Sequence, residues 1–355
     1  MKKSITIIGI NYSPEDTAIG LYTSQLANYF NEKGIEVNII TGFPYYPAWK
    51  ISPNYNSKKT FYKESSNGIN VFRYKQYVPQ NPTFIKRILH LLDFTYGSFF
   101  NLFKIKKTDV VLCIAPFIGS VFLGKFLSRI KKAKLWVHVQ DFEFDAVSDS
   151  NIIENKKNKS PIFKLLFWIE RKLLNSASII STISTSMILK LEDKTVPVKK
   201  CRLLPNWVDL DFINPEKSKT HAYLNSERFK ILYSGNIGEK QDWEFFIQFV
   251  NILNDDLDIE IIVVGDGSKR EWLEVQFPSL NDITFYNPVA YNELSDLLCS
   301  ADLHILFQKN EVIDTVMPSK ILAMMASQKP SLITGNLKSE VATIINESKG
   351  GEYFD

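Results

Sequence analysis

The stretch Ile231–Val250, ILYSGNIGEKQDWEFFIQFV, constrains this chain more than any other. An apolar run (Ile231–Tyr233) passes through a turn of small residues and glycine (Ser234–Gly238) into an apolar periodicity of helical spacing that opens near Gln241. Strand, glycine turn and helix in that order are the unit of an α/β domain, whose parallel strands need helical crossovers. The turn is also a place for an anion. The first N–H groups of a helix have no intrahelical partner, and the helix dipole favours negative charge there. Lys240 stands where its ammonium could reach the same anion. An ordinary strand–turn–helix connection carries the same pattern, so the turn alone does not name a ligand.

The pattern recurs from the start of the chain. Ile5–Ile10 predicts a first strand, Tyr12–Gly20 a long loop, Leu21–Glu32 a helix closed by Gly34, and Glu36–Ile40 the next strand. No Gly-x-Gly-x-x-Gly follows the first strand, so a dinucleotide fingerprint is not supported. Further strands are predicted at Asp109–Ile114, Leu135–Val139 and Ser178–Ile183. A length of 355 residues suits two domains, each with its own core. Residues 1–210 carry 30 Lys and Arg against 16 Asp and Glu, a surplus of 14 positive charges; residues 211–355 carry 12 against 23, a deficit of 11. The sign changes at the Pro/Asn/Asp stretch Cys201–Pro215. This predicts a domain over 1–205, a linker over 206–215 and a second domain over 216–355. The basic half either faces an anionic partner or is drawn to the acidic half of its own chain. Cys113, Cys201 and Cys299 lie too far apart for a disulfide framework or a zinc set, which points to a reducing cytoplasm. Neither a signal peptide nor a membrane-spanning run is read.

Other stretches carry chemistry or surface. His138-Val139-Gln140-Asp141-Phe142-Glu143-Phe144-Asp145 ends a strand where a ligand crevice is expected, so His138, Asp141 and Glu143 are candidate bases or orienting groups. Phe43–Tyr55, aromatic and proline-rich, is a loop that either forms a binding surface or folds on its own aromatics. Phe84–Lys107 is a helical pattern with lysines and an arginine: a core-facing helix with a basic rim, or a helix lying on an anionic membrane. Asp209/Asp211 and Asp256/Asp258 read as turn chemistry, and no cluster has metal-ligand spacing. In the acidic half, Val263–Gly267 repeats the strand-to-glycine signature. Asp314-Thr315-Val316-Met317-Pro318-Ser319-Lys320 then opens the helix Ile321–Ser327. Pro318 preorganises a helix start, and Ser319 and Lys320 offer a second anion seat. Two such seats on neighbouring strands suit a diphosphate.

SGNIGEKQ, VVGDG, the Pro318-Ser319-Lys320 helix with Lys329-Pro330, and LPNWVD together resemble the donor domain and linker of glycosyltransferase family 4. INYSPEDTAIG and HVQDFEFDA resemble the branch containing the colanic-acid and O-antigen fucosamine transferases. The resemblance runs from residue 1 to about residue 350. It implies the GT-B fold, two Rossmann-like doubly wound domains facing each other across a cleft. It also implies retaining transfer from a nucleotide sugar, UDP-linked, to a lipid-linked saccharide at the inner face of the plasma membrane. No metal or other cofactor and no nucleic acid are implied. Carried over by position, Lys240 meets the donor diphosphate, with Gly235, Asn236, Gly238 and Gly265 in the loops around it. Asp314, Thr315, Pro318, Ser319 and Lys320 form the second donor element. Asp141 with His138 belongs to the transfer site, and Glu15, Asp16, Gly20 and Glu143 line the acceptor side. The family's Glu-x7-Glu pair falls on Thr315 and Ala323, so both carboxylates are missing and a deoxy or amino sugar held differently is implied. The family's return helix is also not found after Gly350–Asp355, which reads as a shortened C-terminus. Rival readings are a nucleotide-sugar epimerase of the same fold and a non-catalytic sugar-nucleotide-binding partner.

Overall fold

The computed structural model describes residues 2–16, 18–115, 118–142, 161–253, 258–277, 283–311 and 319–355. They form two compact units, Met1–Pro205 and Asn206–Asp355.

Unit 1 opens with β1 (Ser4–Ile8), α1 (Ala18–Glu32) and β2 (Glu36–Gly42). Every residue of β1 is buried, as a parallel strand covered on both faces should be. Gly34, with φ +77°, takes the left-handed position that ends α1. A hairpin follows, β3 (Phe61–Ser66) and β4 (Ile69–Tyr74), turned by Asn67-Gly68 with both φ positive. The rest alternates: α2 (Phe84–Asn101), β5 (Val110–Ala115), α3 (Ile118–Lys131), β6 (Lys134–Val139), α4 (Pro161–Leu174), β7 (Ile179–Thr182), α5 (Thr185–Asp193) and β8 (Cys201–Leu203). The sheet order is β3-β4-β2-β1-β5-β6-β7-β8, with β3 antiparallel to β4 and parallel pairing elsewhere. Right-handed crossovers place α2, α3 and α4 side by side on one face.

Unit 2 contains β9 (Phe229–Ser234), α6 (Trp243–Ile252), β10 (Ile259–Val264), α7 (Arg270–Val275), β11 (Ile283–Tyr286) and α8 (Leu294–Cys299). It continues with β12 (Leu303–Phe307), α9 (Ser319–Ala326), β13 (Ser331–Thr334), α10 (Glu340–Ser348) and β14 (Gly351–Phe354). Its parallel order is β11-β10-β9-β12-β13-β14. The pleat sends alternate side chains to opposite faces. Ile231, Tyr233, Ile261 and Val263 pack with Trp243 and Phe246 of α6, whereas Leu232, Ile262 and Val264 pack with Leu297, Leu298 and Ala301 around α8. In each sheet the winding direction reverses beside the first strand, at β1/β5 and at β9/β12. Ligands of doubly wound sheets sit outside the strand ends at such a point. Among the described residues no helix is long and apolar enough to cross a membrane.

Candidate functional site

At the end of β9 the chain turns through Gly235, whose φ is +146°. A β-carbon there would stand 3.2 Å from Lys320 Nζ, so glycine is what lets the Lys320 chain lie across the turn. Lys320, near the start of α9, donates to Tyr233 Oη at 3.1 Å and holds its ammonium 4.7 Å from that ring's centre. Tyr233 Oη in turn donates to Asn236 O at 2.7 Å. Burial drives the phenol's pKa up, which keeps the proton that this relay needs. The turn and the start of α9 therefore meet inside unit 2.

The loop after β10 packs against the same turn. Gly235 N–H donates to Val264 O and Ile237 N–H to Asp266 O, both at 2.9 Å. A β-carbon on Gly265 would sit 1.9 Å from Gly235 O, so only glycine allows this approach. The N–H groups of Asn236 and Gly238 have no acceptor among the described residues. Two backbone donors with no acceptor among the described residues, in the turn that Lys320 crosses, are the kind of donor set that takes an anion.

Helix α6 begins at Trp243, near Gln241 as expected, and Asp242 caps it by accepting from Phe245 N–H at 2.9 Å. A carboxylate thus already occupies the positive end of this helix. The anion-ready donors belong to the turn, not to α6. Lys240 is exposed; its carbonyl accepts from Lys309 N–H at 3.1 Å, which ties the turn to the loop after β12. Asp314, Thr315 and Pro318 lie outside the described residues; of Ser319 only the backbone, at the start of α9, is described. Ala323, where the family pattern has a glutamate, packs against the Leu232/Ile262 cluster.

Unit 1 is different: the described groups in its loops after β1 and β2 are spent on each other. Glu15 is buried. Its Oε1 accepts from the N–H groups of Tyr45 and Tyr46 at 2.8 Å each, and its Oε2 from Asn11 Nδ2 at 2.9 Å. Burial raises its pKa against these donors. A β-carbon on Gly20 would stand 2.9 Å from Glu15 Cβ. Glu15 and Gly20, expected on the acceptor side, thus clamp the loops after β1 and β2 together, while Asp16 is exposed. Arg73 on β4, 1% exposed, completes the clamp. It meets Glu64 at 2.5 Å, donates to Gly42 O at 3.0 Å and to Ser13 O, and lies over the rings of Tyr12 and Tyr55. The loop Phe43–Tyr55 folds on its own aromatics: Phe43 packs on Tyr55 at 5.5 Å and Tyr45 on Trp49 at 5.3 Å.

His138 is a core residue and not a solvent-facing one. It is 1% exposed, and its Nδ1 is 2.9 Å from Ser181 Oγ, which also accepts from Trp136 Nε1 at 2.7 Å. Burial lowers its pKa to about 4, so the ring is neutral near pH 7. Its Nε2 is buried with no partner among the described residues. Asp141, half-buried past the strand end, accepts from Phe142 N–H at 2.7 Å. Glu143 lies outside the described residues. Arg73 and Tyr233 were not singled out in the sequence. An arginine inside the apolar alternation of INVFRY was the available signal for the first; the phenol in ILYS gave none.

Two Rossmann-like α/β units, each built on a doubly wound sheet, define the GT-B class of fold. Residues 17–207 match the family described as glycosyl transferase 4-like domain, and residues 228–354 the family described as glycosyl transferases group 1. The chain belongs to this glycosyltransferase family. WcaI of Escherichia coli (strain K12), named as a glycosyl transferase of colanic acid biosynthesis, is 32% identical over 356 residues, spanning 98% of this chain and 86% of its own. Sucrose-phosphate synthase (tll1590) from Thermosynechococcus elongatus superposes with a TM-score of 0.70 at 13% identity, over 99% of this chain and 86% of that one. Anabaena Alr3699/HepE in complex with UDP and glucose gives 0.64 at 12% identity, over 100% and 86%. At such identities the two structures speak for the GT-B fold alone.

Proposed function

We propose that this glycosyltransferase moves a sugar, with retention, from a UDP-linked donor to a lipid-linked saccharide in bacterial surface polysaccharide biosynthesis, without a metal ion. The observation that carries the donor half is Lys320 lying across the Gly235 turn, beside the unspent N–H groups of Asn236 and Gly238. These groups hold the diphosphate. As the sugar–phosphate bond breaks, charge grows on the leaving oxygen, and fixed donors aimed at developing charge are the largest catalytic contribution of most enzymes. Lys240, exposed at the end of the same turn, adds a second cation. The leaving phosphate itself takes the acceptor's proton, so no strong enzymic base is needed. Asp141 orients the acceptor, and His138 supports the strand that carries it.

The likeness to WcaI supports the polysaccharide assignment; UDP is proposed as the nucleotide that HepE, of the same fold, carries in its complex. For the acceptor, the support is α2 and the residues just after it. The buried line of α2 contains His90, Phe94, Ser98 and Asn101, while Ile85, Leu89, Leu92, Tyr96, Phe100 and Phe103 are exposed at helical spacing. An apolar line facing outward, flanked by Lys86, Arg87, Lys104, Lys106 and Lys107, is the pattern of a helix that rests on an anionic membrane. The test of the donor site is UDP binding followed by thermal shift, together with transfer from UDP-sugars. Lys320→Ala is expected to lose the UDP-induced stabilisation and to slow transfer about 10²–10³-fold, the cost of removing one such donor. Full transfer by that variant would refute the assignment. Transfer that chelators leave unchanged is expected, and its loss with EDTA would remove the metal-free mechanism.

A further inference from the structure

Helices α3 and α4 enclose a groove of about 370 Å³ on the outer face of unit 1. Its floor is apolar, from Phe126, Ile169 and Leu173, and its lips are the exposed rings of Phe122 and Trp168. Its polar lining among the described residues is Lys125, Arg129 and Lys172, with no carboxylate among them. Lys172 holds its ammonium 4.4 Å from the Trp168 ring centre. The described acids of the three helices on this face are engaged elsewhere. No acid occurs on α3; Glu170, the acid of α4, pairs with Lys194 at 2.8 Å; and Asp93 of α2 accepts from Tyr74 Oη and Tyr77 N–H. Burial and the charges of Arg129 and Lys172 lower the pKa of Lys125, as expected for an ammonium among like charges. Such a cluster is stabilised by an anion supplied from outside. The groove is also continuous with the outward apolar line of α2, because Phe126 packs on Phe99 at 4.8 Å and on Phe103 at 6.4 Å.

We propose that this groove seats a single phosphate-headed lipid, its phosphate on Lys125, Arg129 and Lys172 and the first part of its chain along Phe122, Phe126 and Trp168. Free phosphate satisfies the cations but leaves the aromatic channel empty; a zwitterionic lipid fills the channel and brings its own cation. The inference rests on the reading that unit 1 works at a membrane, and extends it from a surface to a site.

The test uses the full chain and a short-chain phosphatidic acid kept below its micelle concentration, so that no membrane is present. Quenching of tryptophan fluorescence by a bromine-labelled chain reads contact with Trp168, and Trp168→Phe identifies the reporter. Saturable one-to-one binding is expected, weakened at least about tenfold by K125A/R129A, the free-energy cost of about 1.4 kcal/mol per decade. The matched K125R/R129K variant should retain most of the affinity. Excess inorganic phosphate should compete poorly, and the phosphatidylcholine analogue should not bind. Absent or non-saturable binding, binding unchanged in K125A/R129A, or complete displacement by inorganic phosphate overturns the lipid site. Membrane docking is scored separately, by sedimentation with phosphatidylglycerol vesicles. There Leu92→Ser/Tyr96→Ser should reduce binding while leaving the soluble lipid's affinity unchanged.

Discussion

The two units share one architecture and use their strand ends in opposite ways. In unit 1 the loops after β1 and β2 satisfy each other through Glu15 and Arg73. In unit 2 the turn after β9 leaves the N–H groups of Asn236 and Gly238 without an acceptor among the described residues, beside Lys320 held on Tyr233. A doubly wound sheet therefore supplies the place for a ligand, but the readiness of that place depends on which polar groups the fold has left unspent. The interior, unlike the strand ends, is alike in the two units. His138 of unit 1 and His304 of unit 2 are both nearly fully buried, both bonded to a serine hydroxyl at 2.9 Å (Ser181 and Ser327), and both lowered to a pKa of about 4 by burial. His304 sits near the start of β12, far along the strand from its ligand-bearing end, so the shared geometry is a way of burying a histidine. His138 cannot be read as catalytic from its environment alone.

The largest expected effect breaks the first contrast directly. Arg73→Ala leaves Glu64 with the Tyr55 hydroxyl but no cation, and removes the guanidinium donors to Gly42 O and Ser13 O, at a cost of about 3–5 kcal/mol. Urea unfolding should report it, and Arg73→Lys should recover only part, because an ammonium cannot reproduce the guanidinium fork. Lys320→Ala should cost stability about 1–2 kcal/mol, from the hydrogen bond and the cation–π contact with Tyr233, while it removes UDP binding. If the two variants traded places, with Arg73→Ala stable and Lys320→Ala unfolded, the comparison would be wrong.

The histidines give the next effect. Each has a folded pKa near 4 against about 6.5 in the unfolded chain, so the unfolded state binds more protons between those values. Their contribution is fully present above pH 6.5 and is lost as the pH falls towards 4, by about 3 kcal/mol for each as an order of magnitude. His138→Gln and His304→Gln should each flatten the urea midpoint between pH 7.5 and pH 4. Transfer at pH 7.5, corrected for the folded fraction, should survive both. A specific loss of turnover in His138→Gln alone would return that residue to the transfer site.

Much of the frame was legible because parallel strands covered on both faces are continuous apolar runs, such as ILYS and the start of the chain. The glycine turn was legible too, since Gly235 and Gly265 mark close approaches that no other residue allows. The hairpin β3–β4 was not, because FYKESS alternates without a strong apolar face and only Asn67-Gly68 announces it. Nor were the contents of the sites. A carboxylate such as Glu15 looks the same in sequence whether it faces an acceptor or three N–H donors, and long-range partners such as Arg73 decide which. The sequence left α2 open between a core-facing helix and one on a membrane for a related reason: helical spacing shows that one side is apolar, not which side meets the sheet.

The smallest effect locates the anion most finely. Asp242 caps α6 through Phe245 N–H, and its own N–H donates to Phe307 O at 3.0 Å, so the residue is held from both sides. Asp242→Ala should cost about 1 kcal/mol of stability as the cap is lost. Asp242→Asn keeps the cap and removes the charge, which isolates the electrostatic part. If the diphosphate lies on the Asn236 and Gly238 N–H groups with Lys320, removing one nearby screened charge should tighten UDP by no more than about 0.3–1 kcal/mol. Titration of UDP by calorimetry at two salt concentrations reads this shift, which should shrink at the higher one. A far larger gain, insensitive to salt, would mean that the phosphate enters the helix end itself once the carboxylate no longer repels it, and the unspent N–H groups of the turn would lose their role.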